Sequence, residues 1–356
     1  MDMQIVAVGA VTPIGLSLAE TASSARARIA RVQEIAQHDK RFEPFLACTV
    51  PSEALPELDA QWTGAGLTAR EARMLRLGHA ALEQIAQGLA QEVDLGAVPP
   101  MPLLLGLPEH HTTLPIDPAR FLQRLAAQSG FPFSVGASVA AARGRAAGVM
   151  ALRRAAAWLE SGEHAFVLVG GVDTLVDPYV LATLDKENRI RGETNSDGLT
   201  PGEGAVFLLL AGAAEAKRFR LASLARITGA AIGREAGHLY ATENYLGDGL
   251  AATFTELLES SPPSAPIECV YASFNGERYW AREFGTARIR NTRHFHEEAL
   301  MEHPAECYGD LGAAVGPALT ALAAQALHAR RLRAPCLAYA SSDRGDRAAV
   351  LLEKAS

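Results

Sequence analysis

Two stretches of the chain read alike, and that echo constrains the fold more than any other feature. GRAAGVMALRRAAAWLESGEHAFVLVGG begins at Gly144, and DLGAAVGPALTALAAQALHARRLRAPCLAYASS begins at Asp310. Each has a small-residue helix start, a long Ala/Leu helix, a short polar joint and a buried strand. The joints differ, SGEH in one and RRLRAP in the other. Small residues let a helix lie close against a sheet or against its twin. Any Ala-rich amphipathic helix followed by a strand would give a similar echo, so the repeat alone leaves both origins open. As a duplication, it divides the chain into halves 1–217 and 218–356, with the boundary near 215–221.

Elsewhere short apolar runs alternate with longer helical patterns, which predicts an α/β fold with a largely parallel sheet. Strands are expected at 4–10, 45–50, 102–107, 165–170, 205–211, 223–228, 267–274, 335–340 and 348–353. Helices are expected at 69–87, 118–128, 145–161, 249–260, 279–290 and 313–330. Hydrophobic residues make up 49% and charged residues 21% of 356, enough for a sizeable core in two domains or one two-lobed unit. A net charge of -7 without a basic stripe argues against a nucleic-acid partner. Arg153, Arg154 and the arginines of 330–333 fall toward helix C-termini and read as solvated faces.

The opening run MDMQIVAVGAVTPIG has an acid at Asp2 and no basic flank, so it reads as a strand and not as a signal peptide. No run approaches the ~18 apolar residues of a membrane helix. Cys48, Cys269, Cys307 and Cys336 form no CxxC pair, so neither a disulfide framework nor a zinc site is indicated. Three of them sit in apolar runs and read as small core residues. The expectation is a cytoplasmic protein with no membrane partner, no cofactor and no metal.

Four segments carry a resemblance. VAVGAVTPIG (6–15) is similar to the opening strand and turn of β-ketoacyl synthases. LESGEHAFVLVGGVD (159–173) resembles their strand ending in a Gly-Gly pair. SDGLTPGEGAVFLLL (196–210) resembles their D-G-x-x-x-G-E-G-A loop and the strand after it. GDLGAAVGPALTAL (309–322) resembles their G-H-x-x-G-A-A-G helix start. Each glycine cluster is weak alone; the four occur in family order across nearly the whole chain. The resemblance implies a thiolase-like fold: two duplicated α/β halves, each with a mixed five-stranded sheet, in five α-β-α-β-α layers. It also implies a dimer, homo- or hetero-, built by pairing strands across a two-fold axis. The strand expected there is 165–170, since an unpaired apolar edge invites aggregation.

Ketosynthases carry the acyl chain on a thiolate at a buried helix N-terminus, where the dipole lowers its pKa. Two histidines bind the malonyl carboxylate and stabilise the enolate and oxyanion. Carried over by register, the cysteine position is Arg145, and no cysteine lies between Cys48 and Cys269 to restore it. The first histidine position is Asn275. The second becomes Asp310, with one residue fewer before Gly312, and the usual lysine corresponds to Ala305. The glycine-rich loop near the end reads Ser341-Ser342-Asp343-Arg344-Gly345, with one glycine kept and charges gained.

Other constellations are weaker. His303 and Cys307 read as a surface imidazole beside a buried thiol. His110 and His111 are adjacent and point apart, which does not make a metal site. His294 and His296 read as loop residues. Glu203 matches a family position that braces the fold. Asn275-Gly276-Glu277 is equally readable as a tight strand-to-helix turn.

The implied function is non-catalytic: an accessory, adaptor or scaffold protein, in one reading for a bacterial secretion effector. The partner would be an effector protein or a related ketosynthase. The alternatives are a chain-length-factor-type partner of an active ketosynthase, or an acyl-thioester enzyme using Asp310 or Glu277 as base. An arginine at a buried helix N-terminus loses water and faces the positive end of the dipole. Arg145 is therefore expected to pair with Asp310 or Glu277 and to plug the site.

Overall fold

Strands buried along their whole length hold this molecule together. A computed structural model describes residues 1–62, 66–92, 98–110, 115–332 and 335–355. Its strands are β1 (Met3–Val11), β2 (Gln33–His38), β3 (Pro44–Ala47), β4 (Leu103–Leu107), β5 (Val139–Ala142) and β6 (Phe166–Thr174). They continue with β7 (Glu203–Ala211), β8 (Ala225–Arg234), β9 (Ile267–Tyr271), β10 (Phe295–Glu302), β11 (Cys336–Ser341) and β12 (Asp346–Glu353). The helices are α1 (Leu18–Arg26), α2 (Ala69–Glu92), α3 (Pro118–Ser129), α4 (Ala147–Glu160) and α5 (Pro178–Lys186). After them come α6 (Ala213–Arg218), α7 (Asp248–Ser260), α8 (Arg278–Arg290), α9 (Ala305–Tyr308) and α10 (Val315–His328).

Every residue of β6, β7 and β11 is buried. Such runs mark strands covered on both faces. Ten strands form one sheet in the order β10-β9-β11-β12-β8-β1-β7-β6-β4-β5. The order contains two copies of one pattern. From β1 outward, β7 and β6 are antiparallel additions, then β4 and β5 are parallel ones. From β8 outward, β12 and β11 are antiparallel, then β9 and β10 parallel. A short antiparallel ladder, Met3 to Ile5 against Ala225 to Ile227, joins the two five-stranded halves.

The layers follow from the apolar faces. Leu75, Leu82, Ile85 of α2 and Phe121, Leu125 of α3 cover one outer face, against Leu103, Leu105 and Phe207. Phe254 of α7 and Phe284 of α8 cover the other, against Tyr339 and Leu351. Between the two half-sheets lie α4 and α10, whose Val149, Leu152, Leu319 and Leu322 join a single central cluster. Side chains must be small where these helices meet. A Cβ on Gly148 would lie 2.4 Å from Cγ of Pro317. This is the five-layered arrangement expected from the sequence.

Some details differ. The segment 165–170 does not offer an edge: β6 is bonded to β4 on one side and β7 on the other. Its apolarity on both faces is that of a central strand. The outer strand of this half is β5, with the sequence VAAA, partly exposed and with Val139 37% exposed. The outer strand of the other half is β10, whose Glu297 and Glu298 are exposed. His296 lies on β10 and not in a loop; His294 lies in a 3₁₀ turn just before it. A separate hairpin, β2–β3, was expected only in part. His111 and Arg333 lie outside the described residues. Among the described residues, no helix is long and apolar enough to cross a membrane.

Candidate functional site

Arg145, Asn275 and Asp310, far apart in sequence, meet where α4 and α10 begin. Gly144–Ala146 forms a 3₁₀ turn that runs into α4, and Gly312–Ala314 forms a matching turn into α10. Arg145 is 5% exposed, Asn275 8% and Asp310 1%. The Arg145 Nε donates to both oxygens of Asp310, at 3.0 and 2.9 Å, and Nη2 adds a third contact. Nη1 donates to Oδ1 of Asp343 at 2.5 Å. The guanidinium also lies 5.6 Å from the ring centroid of Trp280, within cation–π range.

The ion pair expected from burial is therefore present, and it takes Asp310, not Glu277. Glu277 pairs instead with Arg189, Oε1 accepting from Nε at 2.7 Å and Oε2 from Nη2 at 2.9 Å. Arg189 Nη1 reaches Asp343 Oδ2 at 2.7 Å, so Asp343 is shared between two arginines. Asn275 joins the two carboxylates, its Nδ2 donating to Glu277 Oε2 at 3.0 Å and Asp310 Oδ2 at 2.9 Å. Trp280 Nε1 donates to Glu277 at 2.9 Å, and the Gly312 N–H to Asp310 at 2.9 Å.

Three carboxylates face two guanidiniums here. The neutral donors absorb the excess negative charge, as a buried ionic cluster requires. Burial alone would raise the pKa of Asp310, but Arg145 and Asn275 outweigh it and hold the carboxyl below the usual range. Asp343 is likewise held low, Arg145 and Arg189 overriding its burial. Burial would lower the Arg145 pKa; Asp310 and Asp343 reverse that and hold it well above its ordinary value. Arg145, Asp310 and Asp343 thereby hold one another in their charged forms.

Above Arg145 is a pocket of about 60 Å³, with Glu109, Asp173, Asp343, Arg70 and Leu175 among its lining residues. That is room for about two water molecules. Among the described residues, none that line it is a cysteine, histidine, serine or lysine.

The remaining candidates lie elsewhere. Ala305 begins α9. Cys307 is buried, and its thiol is pushed up by that burial, while His303 is half-buried and faces Glu306. Burial pushes the Cys48 thiol up to about 12. Such thiols are poor nucleophiles. Glu203 is buried and accepts from Arg73, Thr174 and the Val50 N–H, a brace between β7, α2 and the segment after β3. Asn275-Gly276-Glu277 does form a tight turn, Asn275 Oδ1 accepting from the Glu277 N–H at 3.1 Å, and it serves the cluster as well. Among the described residues no group of His, Cys, Asp and Glu is placed to hold a metal. Sequence reasoning missed Arg189 and the role of Asp343; the charges gained by the 341–345 loop were the available signal.

No family model and no curated protein matches the chain. Solved structures do. The ishigamide ketosynthase/chain length factor is similar over 100% of this chain and 99% of its own, at 15% identity and a TM-score of 0.80. The ketosynthase from module 6 of the bacillaene synthase of Bacillus subtilis matches over 100% and 72%, at 13% identity and a TM-score of 0.82. A type II polyketide synthase ketosynthase, in complex with its acyl-carrier protein and bound to the hexaketide, matches over 100% and 99%, at 14% identity and a TM-score of 0.80. The fold is thus thiolase-like. Within that class, the solved structures named above are ketosynthases and a ketosynthase/chain length factor.

Proposed function

We propose that this protein is a ketosynthase-fold chain without condensing chemistry, serving as an accessory, adaptor or scaffold subunit, in our reading for a bacterial secretion effector. One observation carries the first half of this reading. The side chain at the position that the resemblance gives to the nucleophile, Arg145, is buried and tied to Asp310 and Asp343. An arginine cannot form the thioester on which condensation depends. Asn275 and Asp310, at the histidine positions, spend their polar atoms on the same cluster. Asp310 and Glu277 would make poor general bases, because arginine, asparagine and tryptophan donors already occupy them. The test is intact-mass measurement after incubation with acyl-thioester donors, alongside a malonyl-thioester decarboxylation assay. We expect no covalent adduct and no decarboxylation above buffer. An adduct that persists in Cys307→Ala overturns the reading.

A chain-length-factor role is the second reading. It is favoured by the likeness to a ketosynthase/chain length factor over 99% of that chain. Chain length factors usually carry glutamine where this chain has Arg145, which weighs against it. Both readings need a partner, and we propose that β5 supplies the contact. It is the outer strand of its half, without the charges that protect β10. Light scattering should give about twice the 37.7 kDa chain mass, and Val139→Lys should shift it toward the monomer. A wild-type monomer that also fails to bind a co-expressed ketosynthase rejects this interface.

A further inference from the structure

A second buried ion pair stands behind the first cluster, and it leaves polar atoms unspent. Glu283 of α8 and Arg347 of β12 are both 0% exposed. Arg347 Nε donates to Glu283 Oε1 at 2.5 Å, and Nη1 donates to the Ser342 and Asp346 carbonyls at 2.6 and 3.0 Å. Ser341 Oγ donates to Glu283 Oε2 at 2.6 Å. Among the described residues, Arg347 Nη2, Tyr339 Oη and Tyr245 Oη are buried atoms with no hydrogen-bond partner in the protein. A buried polar atom left alone is costly, and native folds leave few without an ordered water.

The sheet brings these atoms to one place. Across β11 and β12, Tyr339 pairs with Ala349 and Ser341 with Arg347. Side chains at such positions share a face, so the four form a square beneath α8. Tyr339 and Arg347 occupy one diagonal, and the small Ala349 and Ser341 the other. The next strand, β8, sets Gly233 beside Arg347 and Ala231 beside Ala349. Helix α8 closes the top: the Phe284 ring stacks on Tyr339 at 5.6 Å, and Trp280 lies 5.6 Å from the Arg347 guanidinium. Tyr245 arrives from the segment between β8 and α7, its ring 4.5 Å from that of Tyr279. Tyr279 lies beside Arg347 and donates its own hydroxyl to the Gly237 carbonyl at 2.8 Å. The charges of Glu283 and Arg347 act on both Tyr245 and Tyr339, and burial keeps the two hydroxyls protonated.

We propose that Arg347 Nη2, Tyr339 Oη and Tyr245 Oη together bind one buried water molecule. The water accepts from Nη2. One hydroxyl donates to it and the other accepts from it, which gives the three bonds usual for an internal water. The donor N–H groups exclude a cation. An anion finds no spare positive charge, because Glu283 already balances Arg347 and Glu235 adds a further negative charge near Tyr245. The water braces the turn after β11 from behind, since Arg347 also holds the Ser342 carbonyl, next to Asp343. This inference does not rest on either reading of function above.

A double-mutant cycle on the full chain, read from urea midpoints, tests it. Tyr339→Phe and Tyr245→Phe each remove one hydroxyl and nothing else. Each should lower the folded-to-unfolded ratio roughly 2- to 10-fold. The double variant should lose less than the product of the two, because both hydroxyls reach the same water. A variant as stable as the wild type, or more so, shows that the hydroxyl stood alone and overturns the proposal; independent losses overturn it as well. The second measurement is a high-resolution crystal structure of the wild type. One density peak within hydrogen-bond distance of Nη2 and both hydroxyls supports the site. No peak there, or an anomalous peak after a bromide soak, ends it.

Discussion

The starts of α4 and α10 are built alike and charged differently. Each is a three-residue 3₁₀ turn opened by a glycine at positive φ, +64° at Gly144 and +54° at Gly312, followed by a 14-residue helix. Each is capped by a side chain from the end of a buried strand in the other half, β6 for α10 and β11 for α4. At α10 the cap is Asp173, which accepts from the Ala313 N–H at 3.0 Å and pairs with Arg70. An anion there suits the positive end of the helix. At α4 the cap is the neutral Ser342 Oγ, which accepts from the Ala146 N–H at 2.9 Å. The position that holds Ala313 in one turn holds Arg145 in the other. Asp310, just ahead of α10, supplies the carboxylate that Arg145 needs. The α10 start carries an anionic cap that has its own counter-ion, Arg70, whereas the α4 start carries a cation that draws on Asp310, ahead of its twin, and on Asp343.

Breaking the borrowed arrangement should have the largest effect. Arg145→Ala leaves Asp310 and part of Asp343 uncompensated in the interior, and should destabilise the fold by ~3–5 kcal/mol, read from the urea midpoint at unchanged slope. Introducing a cysteine there instead should not restore condensation, since the histidine positions stay Asn275 and Asp310. Asp173→Ala tests the start of α10. It removes one cap and strands Arg70, whose side chain is 10% exposed and has water within reach. A smaller loss of ~1–3 kcal/mol is expected. If Asp173→Ala proves the more damaging, the asymmetry drawn above is reversed. Ser342→Ala should be mildest, ~0.5–2 kcal/mol for the lost cap. A loss as large as that of Arg145→Ala would mean that the 342 hydroxyl, and not the ion pair, anchors this end of α4.

The charge difference also separates what was legible in the sequence from what was not. Long strands such as β6, β7 and β12 announce themselves because burial on both faces leaves continuous apolar runs. β5 is four small residues, and β10 is FHEEALME; as outer strands they bury too little to show a strong period. The same apolarity misled the expectation of an interface at 165–170, because a central strand and a sticky edge have the same composition. In the site, Arg145, Asn275 and Asp310 were readable because glycine motifs fixed their register. An unpaired buried arginine was also physically untenable. Arg189, Asp343 and Glu109 come from loops between elements. No periodicity points there, and only the fold decides which loop tips meet.

The seam between the half-sheets has a consequence for synthesis. β1 sits at the middle of the ten strands, bonded to β7 and β8. It leaves the ribosome about two hundred residues before either neighbour, tens of seconds at ordinary elongation rates. Until then Ile5, Val6 and Val8 have no ladder to join, and closing so long a loop is slow. β1 therefore stays unpaired through most of the first half's synthesis, and the seam between the half-sheets can close as soon as β7 and β8 are made, before β9 to β12 exist.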